Sequence, residues 1–352
     1  MPNTATSTAA EGPAIVQRLQ SAVPEALAML AGMELNLFSH LTGAPQESAA
    51  LALALGVEED RLLRLLYALT VCGLLERHDQ GFTNSPEAAA YLDKNSPAFL
   101  GNIHRFLREI WSADMHTADS IRSGRPAALL DFNSASDDDL SRMLRATHAN
   151  TLRAGRDMLT RYDFFGCKSI IDIGGGTGGL VATLCEAHPS MRGTLLDLPR
   201  TAAFAREILK ETPGGDRVIV EEGDITRRAA SETHDVVIMR ALVQTLSRTE
   251  ATHAIANAAA SLSVGGFMYI IGAGILDDGR TSPRSAVFMN LTFLNLYRGG
   301  ASYTEAEHTT WLTAAGCEFR ERKPLHNGSI ICAQKVASVD RPALGEAGNP
   351  QT

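Results

Sequence analysis

Between residues 13 and 160 apolar positions recur at helical spacing, and only one short stretch alternates in the manner of a strand. The periodicity predicts helices over 26–38, 47–55 and 58–73. The run Gly73-Leu-Leu-Glu-Arg-His-Asp-Gln-Gly-Phe-Thr then suits a β-hairpin. Three helices and a hairpin make a winged-helix pattern. Its third helix carries only Arg61 and Arg64 as cations and has a broad apolar face, which suits packing or dimerisation better than DNA. Longer helical patterns follow at 97–123, with Trp111, and at 137–161, with Met143 and His148. Asp137-Asp138-Asp139 opens the second of these, where carboxylates complement a helix dipole, and no metal site is expected there.

From about residue 168 the pattern changes. Short apolar runs at 169–173, 193–196, 218–221, 236–239 and 266–271 alternate with helical stretches, which predicts a parallel sheet. After a last helix near 304–315, two strand-like runs flank Asn327-Gly328, a strong hairpin signal. The expected fold class is therefore α/β: a Rossmann-like parallel sheet ending in an antiparallel hairpin, preceded by a mostly helical winged-helix dimerisation domain. The expected divisions are 13–100 for that first domain, 101–165 for a helical linker carrying substrate-pocket helices, and 166–336 for the sheet domain. Residues 1–12 and 337–352, small and polar with Pro and Gly, are expected to be disordered tails.

Composition narrows the partners. With 352 residues and 45% hydrophobic content the chain can build two cores, and a net charge of -8 without a basic block argues against nucleic acid. Five scattered cysteines in mostly apolar runs suit free thiols in a reducing compartment. No signal peptide and no membrane-length apolar stretch is visible, so a cytoplasmic protein without a membrane partner is expected.

The glycine-rich run at 172–179, Asp-Ile-Gly-Gly-Gly-Thr-Gly-Gly, follows a strand and opens a helix, so Gly174, Gly175 and Gly176 let a ligand approach the backbone. A dinucleotide would also fit such a turn. Asp172 would repel a pyrophosphate, however, and would favour the ammonium and sulfonium of S-adenosylmethionine. The terminal hairpin is likewise foreign to an ordinary dinucleotide-binding sheet. Cofactors lie across the carboxyl ends of the strands. Asp197, next to Leu198, is placed there for the ribose hydroxyls, and Asp224 for the adenine amino group, with Ile225 packing on the ring.

Taken together, residues 20 to 335 resemble the small-molecule O-methyltransferases of the caffeic acid and acetylserotonin type, with their bacterial relatives in antibiotic and pigment pathways. The shared features are the Asp-Ile-Gly-Gly-Gly-Thr-Gly turn, Leu-Asp-Leu-Pro at 196–199, Gly223-Asp224, Arg240, Val264-Gly-Gly-Phe and Gly299-Gly300. The resemblance implies S-adenosylmethionine as cofactor, with Arg240 among its contacts. It also implies a homodimer whose winged-helix domain covers the partner's pocket, and a small aromatic secondary metabolite as substrate. The pocket would be lined by Trp111, Met143, Met289, Asn290 and Phe293.

One part of the family pattern is missing. Where the family carries a Leu-His-Asp-Trp-Ser run, whose His takes the acceptor's proton, this chain has Val243-Gln244-Thr245-Leu246-Ser247. Ser247 and Glu250 form a capping-box pattern that sets the register and puts Gln244 at the His position. A glutamine can orient a group but cannot take its proton. Ser302 and Asn290 stand where the family has acids. The expected activity is methyl transfer to oxygen, carbon or nitrogen, with His148 as a substitute proton acceptor. A hydroxylase or pericyclase that binds the cofactor without transferring its methyl is the alternative, and a winged-helix regulator a more distant one.

Overall fold

The computed structural model describes residues 13–100, 103–132 and 134–336, so both expected tails lie outside the described residues. The chain divides after Arg108 into two units.

The first unit holds α1 (Ala14–Glu34), α2 (Ser48–Leu55), α3 (Glu59–Val71), β1 (Leu75–His78), β2 (Gly81–Asn84) and α4 (Pro86–Tyr91). The helix expected at 26–38 begins earlier and stops at Glu34. There Asn36 takes a left-handed backbone (φ 57°), which Asn tolerates better than most residues, and a 3₁₀ turn over Leu37–His40 follows. Leu37, Phe38, Leu66 and Leu69 are almost fully buried at the centre. β1 and β2 pair antiparallel, with Leu75 opposite Asn84 and His78 opposite Gly81. Along α1, Ile15, Leu19, Val23 and Leu27 recur every fourth residue and are each at least 49% exposed.

α5 (Ile103–Asp114) spans the division, and α6 (Thr117–Ser123) and α7 (Asp137–Arg161) precede the sheet. The single helix expected over 97–123 is thus two helices. The corner between them is held by Asn295, whose side chain donates to Asp114 Oδ1 (3.3 Å) and Thr117 Oγ1 (2.9 Å). Ser136 caps α7 by accepting from the Asp139 amide, with Asp137, Asp138 and Asp139 in the first turn.

The remaining elements are β3 (Ser169–Ile173), α8 (Gly179–Ala187), β4 (Arg192–Asp197), α9 (Pro199–Lys210), β5 (Val218–Glu222), β6 (His234–Arg240), α10 (Arg248–Ala260) and β7 (Leu262–Gly272). After them come β8 (Ile275–Leu276), α11 (Arg284–Leu296), β9 (Tyr303–Thr304), α12 (Glu305–Ala314), β10 (Cys317–Leu325) and β11 (Gly328–Lys335). Seven strands form one sheet in the order β10-β11-β7-β6-β3-β4-β5. β7, β6, β3, β4 and β5 run parallel, and β11 and β10 close the edge antiparallel. Side chains alternate between two apolar clusters, one on each face. Ile171, Ile173, Val237 and Met239 enter one, while Ile170, Val236, Ile238 and Leu195 enter the other. β8 and β9 pair parallel outside the main sheet. No helix among the described residues is long and apolar enough to cross a membrane.

Candidate active site

β3 reads Ser-Ile-Ile-Asp-Ile, and the alternation of a strand turns Asp172 to the same face as Ile170, into an apolar cluster. Its side chain is buried, and neither carboxylate oxygen has a hydrogen-bond partner. Burial, and secondarily the charge of Asp197, push its ionisation up from 3.8 to about 7, although Arg240 pulls the other way. The chain then turns through Gly174 (φ 67°), Gly176 (φ 62°) and Gly178 (φ 73°). Gly175 is required by space alone, since a Cβ there would lie 2.4 Å from Asp172 Oδ2. Gly178 caps α8 with no side-chain acceptor; the Gly179 amide reaches Thr177 Oγ1 (3.4 Å), and the next amides, of Leu180 and Val181, have no intrahelical partner.

The other two acids also stand at strand ends. Asp197, on the last residue of β4, accepts from the Gly176 amide (2.9 Å, Oδ2) and the Leu198 amide (2.8 Å, Oδ1), which ties the two neighbouring turns together. Burial raises its ionisation to about 6, against the pull of those amides and of Thr201. Asp224, two residues after β5, folds its Oδ1 back onto the Thr226 amide (2.9 Å) and hydroxyl (2.6 Å), while Oδ2 lies 3.3 Å from the Arg227 guanidinium. Ile225 beside it is buried, and its carbonyl accepts from Asn257. Arg240, at the end of β6, feels the Asp172 charge in support of its own, while burial works against it.

After Arg240 the chain reverses at Ala241, a non-glycine residue at φ 56° whose amide donates to the Ile271 carbonyl (2.8 Å). The reversal lays Leu242 over the glycine turn, about 3 Å from where a Gly174 Cβ would be, and starts a 3₁₀ turn over Val243–Thr245. Gln244 Oε1 accepts from the Gly274 amide (3.3 Å). A Cβ on Gly272 would lie 2.6 Å from that oxygen and would push the Gln244 side chain aside. Asn290 Oδ1 accepts from the Ser302 amide (2.7 Å), and Ser302 Oγ donates to the Ala286 carbonyl (3.1 Å). A Cβ on Gly274 would meet Gln244, Ser302 and the buried Phe293 ring at once. Gln244, Asn290, Ser302 and Phe293 therefore adjoin one another. Ser247 and Glu250 do form the reciprocal capping box at the start of α10.

His148, on α7, meets the glycine turn. Its Nδ1 lies 2.9 Å from Thr177 Oγ1, inside the glycine turn, and its Nε2 lies 3.4 Å from Thr212 Oγ1, which donates to the Ile208 carbonyl (2.7 Å). Burial, with Arg145, keeps the ring neutral. The imidazole thus braces the turn through Nδ1. Thr177 and Thr151, 3.0 Å apart, complete this brace, and the sequence alone did not single them out. The only hint was a threonine interrupting a glycine run.

The expected pocket wall is divided. Phe293 and Asn290 lie at the Gln244 cluster, but Met143 packs with Leu140, Leu144, Ile208, Phe132 and Phe204. Trp111 is half-buried on α5, and Met289 half-buried on α11. A cavity of about 590 Å³ elsewhere, beside Arg206, Thr212 and Val218, flanks the start of β5. Its cations are already paired, Arg206 with Glu222 and Lys210 with Glu207, so it offers no comparable chemistry.

A parallel sheet closed by an antiparallel hairpin, with an unpartnered carboxylate under a glycine turn, defines an S-adenosylmethionine-binding Rossmann-like domain. The family model of the O-methyltransferase domain matches residues 124–318, and that of the O-methyltransferase dimerisation domain matches residues 18–94. This chain belongs to the O-methyltransferase family, and is an S-adenosylmethionine-dependent methyltransferase. It is 29% identical to the tetracenomycin polyketide synthesis 8-O-methyl transferase TcmO of Streptomyces glaucescens, over 87% of this chain and 91% of that one. It is also 26% identical to the aclacinomycin 10-hydroxylase RdmB of Streptomyces purpurascens, over 92% of this chain and 89% of that one. Human N-acetylserotonin methyltransferase, solved with its methyl donor, superposes with a TM-score of 0.75 at 22% identity, covering 94% of this chain and 99% of that one.

Proposed function

We propose that this protein methylates a hydroxyl of a small aromatic secondary metabolite, with no side chain acting as base. The observation that carries the cofactor half is Asp172, a buried carboxylate with both oxygens unpartnered beside the N-terminus of α8. Such an arrangement fits the ammonium and carboxylate of a methionyl group. Asp197 would take the ribose hydroxyls, Asp224 the adenine amino group and Ile225 the ring face, while Gly174, Gly175 and Gly176 leave room for the chain of the ligand. Arg240 would sustain the charge of Asp172. Bound S-adenosylmethionine supplies a sulfonium methyl that passes to the acceptor oxygen as the carbon–sulfur pair returns to sulfur.

The residues of this chain do the rest by position. Gln244, Asn290 and Phe293 would seat the acceptor, and holding it in line with the methyl is a large part of the acceleration. A general base contributes about 10²–10⁴-fold where one is present. Its absence supports an acceptor that gives up its proton easily. The exposed stripe Ile15, Leu19, Val23 and Leu27 on α1 is the seam on which a second copy would dock, in keeping with the dimerisation-domain match.

The test is transfer of label from methyl-labelled cofactor to hydroxynaphthoates and polyphenolic polyketides. A labelled methyl ether is the expected product. Cofactor that binds without turnover, or an unlabelled hydroxylated product, would sink the methyl-transfer reading and favour the hydroxylase alternative, to which the RdmB likeness and Gln244 lend some support.

A further inference from the structure

Two side-chain amides at the Gln244 cluster have their orientation set by the backbone. A peptide N–H only donates, so the Gly274 amide holds Gln244 by its oxygen, and the Ser302 amide holds Asn290 in the same way. Each side chain therefore turns its NH₂ away from the backbone that grips it. Neither NH₂ has an acceptor among the described residues. Ser302 Oγ donates to the Ala286 carbonyl, and neither NH₂ is hydrogen-bonded to it. Gly274 binds the two grips into one patch. A Cβ on it would lie 3.0 Å from Gln244 Cβ, 3.2 Å from Ser302 Oγ and 2.8 Å from the Phe293 ring, and its carbonyl is taken by the Tyr303 amide (3.0 Å). The patch thus has an apolar wall and two hydrogen-bond donors. No carboxylate or imidazole belongs to it. The charged and titratable groups nearest in sequence are Arg240 and Arg248 on either side of the Gln244 segment, Asp277 and Asp278 after Gly274, Arg284 at the start of α11, Tyr297 and Arg298 beyond its end, and Tyr303 and Glu305 after Ser302.

On the methyl-transfer reading above, we infer that this amide pair receives the acceptor as an oxyanion, which restricts the substrate class to acidic phenols. Such a phenol has a hydroxyl acidified by a ring carbonyl, a carboxylate or an extended quinonoid system. Its proton goes to solvent before the acceptor is seated, so none has to be accepted during transfer. Donors favour an anion over the neutral phenol because hydrogen bonds to a charged oxygen are about twice as strong as neutral ones. Each NH₂ is worth roughly a tenfold preference for the ionised form.

The experiment uses the full-length protein saturated with S-adenosylhomocysteine and 4-nitrophenol as a coloured probe. Its visible absorbance, titrated in the complex, reads the ionisation of the bound phenol directly. The bound probe is expected to ionise about one to two pH units below the free probe. Gln244→Leu and Asn290→Leu should each move it back by about one unit, and each variant's circular dichroism confirms its fold. A bound probe that ionises where the free one does, an anion that does not bind, or variants that leave the titration unchanged would overturn the inference. Should either variant fail to fold, the wild-type protein still decides. Its rates on phenols of graded acidity, at one pH, must fall steeply as acidity falls, and a flat series overturns the inference. Labelled ethers formed with an unshifted probe would sink the oxyanion reading alone. A shifted probe with no labelled product from any phenol would sink the methyl-transfer reading and leave the anion site standing.

Discussion

Replacing Asp172 by Asn changes one charge and almost no volume, so its consequences can be worked from the site. In the protein without cofactor the carboxyl is buried with no partner and ionises at about 7 instead of 3.8. That difference corresponds to roughly 4 kcal/mol held against the charged form. For an acid raised in the folded state, stability is fully present below the unfolded value and is lost as pH climbs toward the folded one. Asp172 therefore destabilises the cofactor-free protein progressively between about pH 4 and about pH 7, and Asp172→Asn should melt at a higher temperature at neutral pH. Cofactor binding has the opposite requirement, because an ammonium ligand needs the ionised carboxylate. Removing one member of a buried pair costs about 3–5 kcal/mol. Allowing for the cost of charging Asp172, the variant should bind S-adenosylhomocysteine roughly a hundredfold more weakly, and its affinity should no longer vary with pH as the wild type's does. Titration calorimetry from about pH 6 to about pH 8, with thermal unfolding alongside, measures both effects. Wild-type affinity that does not rise across this range, or a variant that binds as tightly and melts no higher, would refute the reasoning.

Three further outcomes follow from the geometry. Gly175→Ala should abolish cofactor binding, because its Cβ would lie 2.4 Å from Asp172 Oδ2. Gly176→Ala meets no protein atom closer than 3.7 Å and should lose only about 1 kcal/mol of fold stability from its left-handed backbone, so an equal drop in melting temperature of the two cofactor-free variants would count against this account. His148→Ala should raise the KM for the cofactor while the pH dependence of kcat stays as in wild type; a lost titration in kcat would restore the histidine as a base. Leu19→Glu with Val23→Glu should convert a dimer to a monomer in light scattering, and an unchanged mass would place the seam elsewhere.

The sheet was legible because each strand is a short apolar run ended by turn residues, and β3 keeps the bounds read from the pattern. β7 was read four residues short at its start, since Gly265 at φ 85° resembles a loop while the pairing begins at Leu262. α11 was not foreseen. Asn290, Thr292 and Asn295 interrupt its apolar period, and two of those three are buried, bonded to partners far along the chain. The same distance hid Gly274 as the partner of Gln244. Residue type drew attention to His148, but only the threonine beside it reveals that the ring braces the glycine turn.

The two-residue pair of β8 and β9 has an evolutionary consequence. It pinches together the base of the segment carrying α11, and the entropy of closing such a loop grows only slowly as residues are added. Asn290 rides on that segment, whereas Asp172, Asp197 and Asp224 belong to the strands and the turns that follow them. Lineages can therefore lengthen, shorten or exchange the acceptor-facing insert while the donor half stays unaltered. Asn290 on that insert and the three strand-end acids are thus carried on separate stretches of one chain.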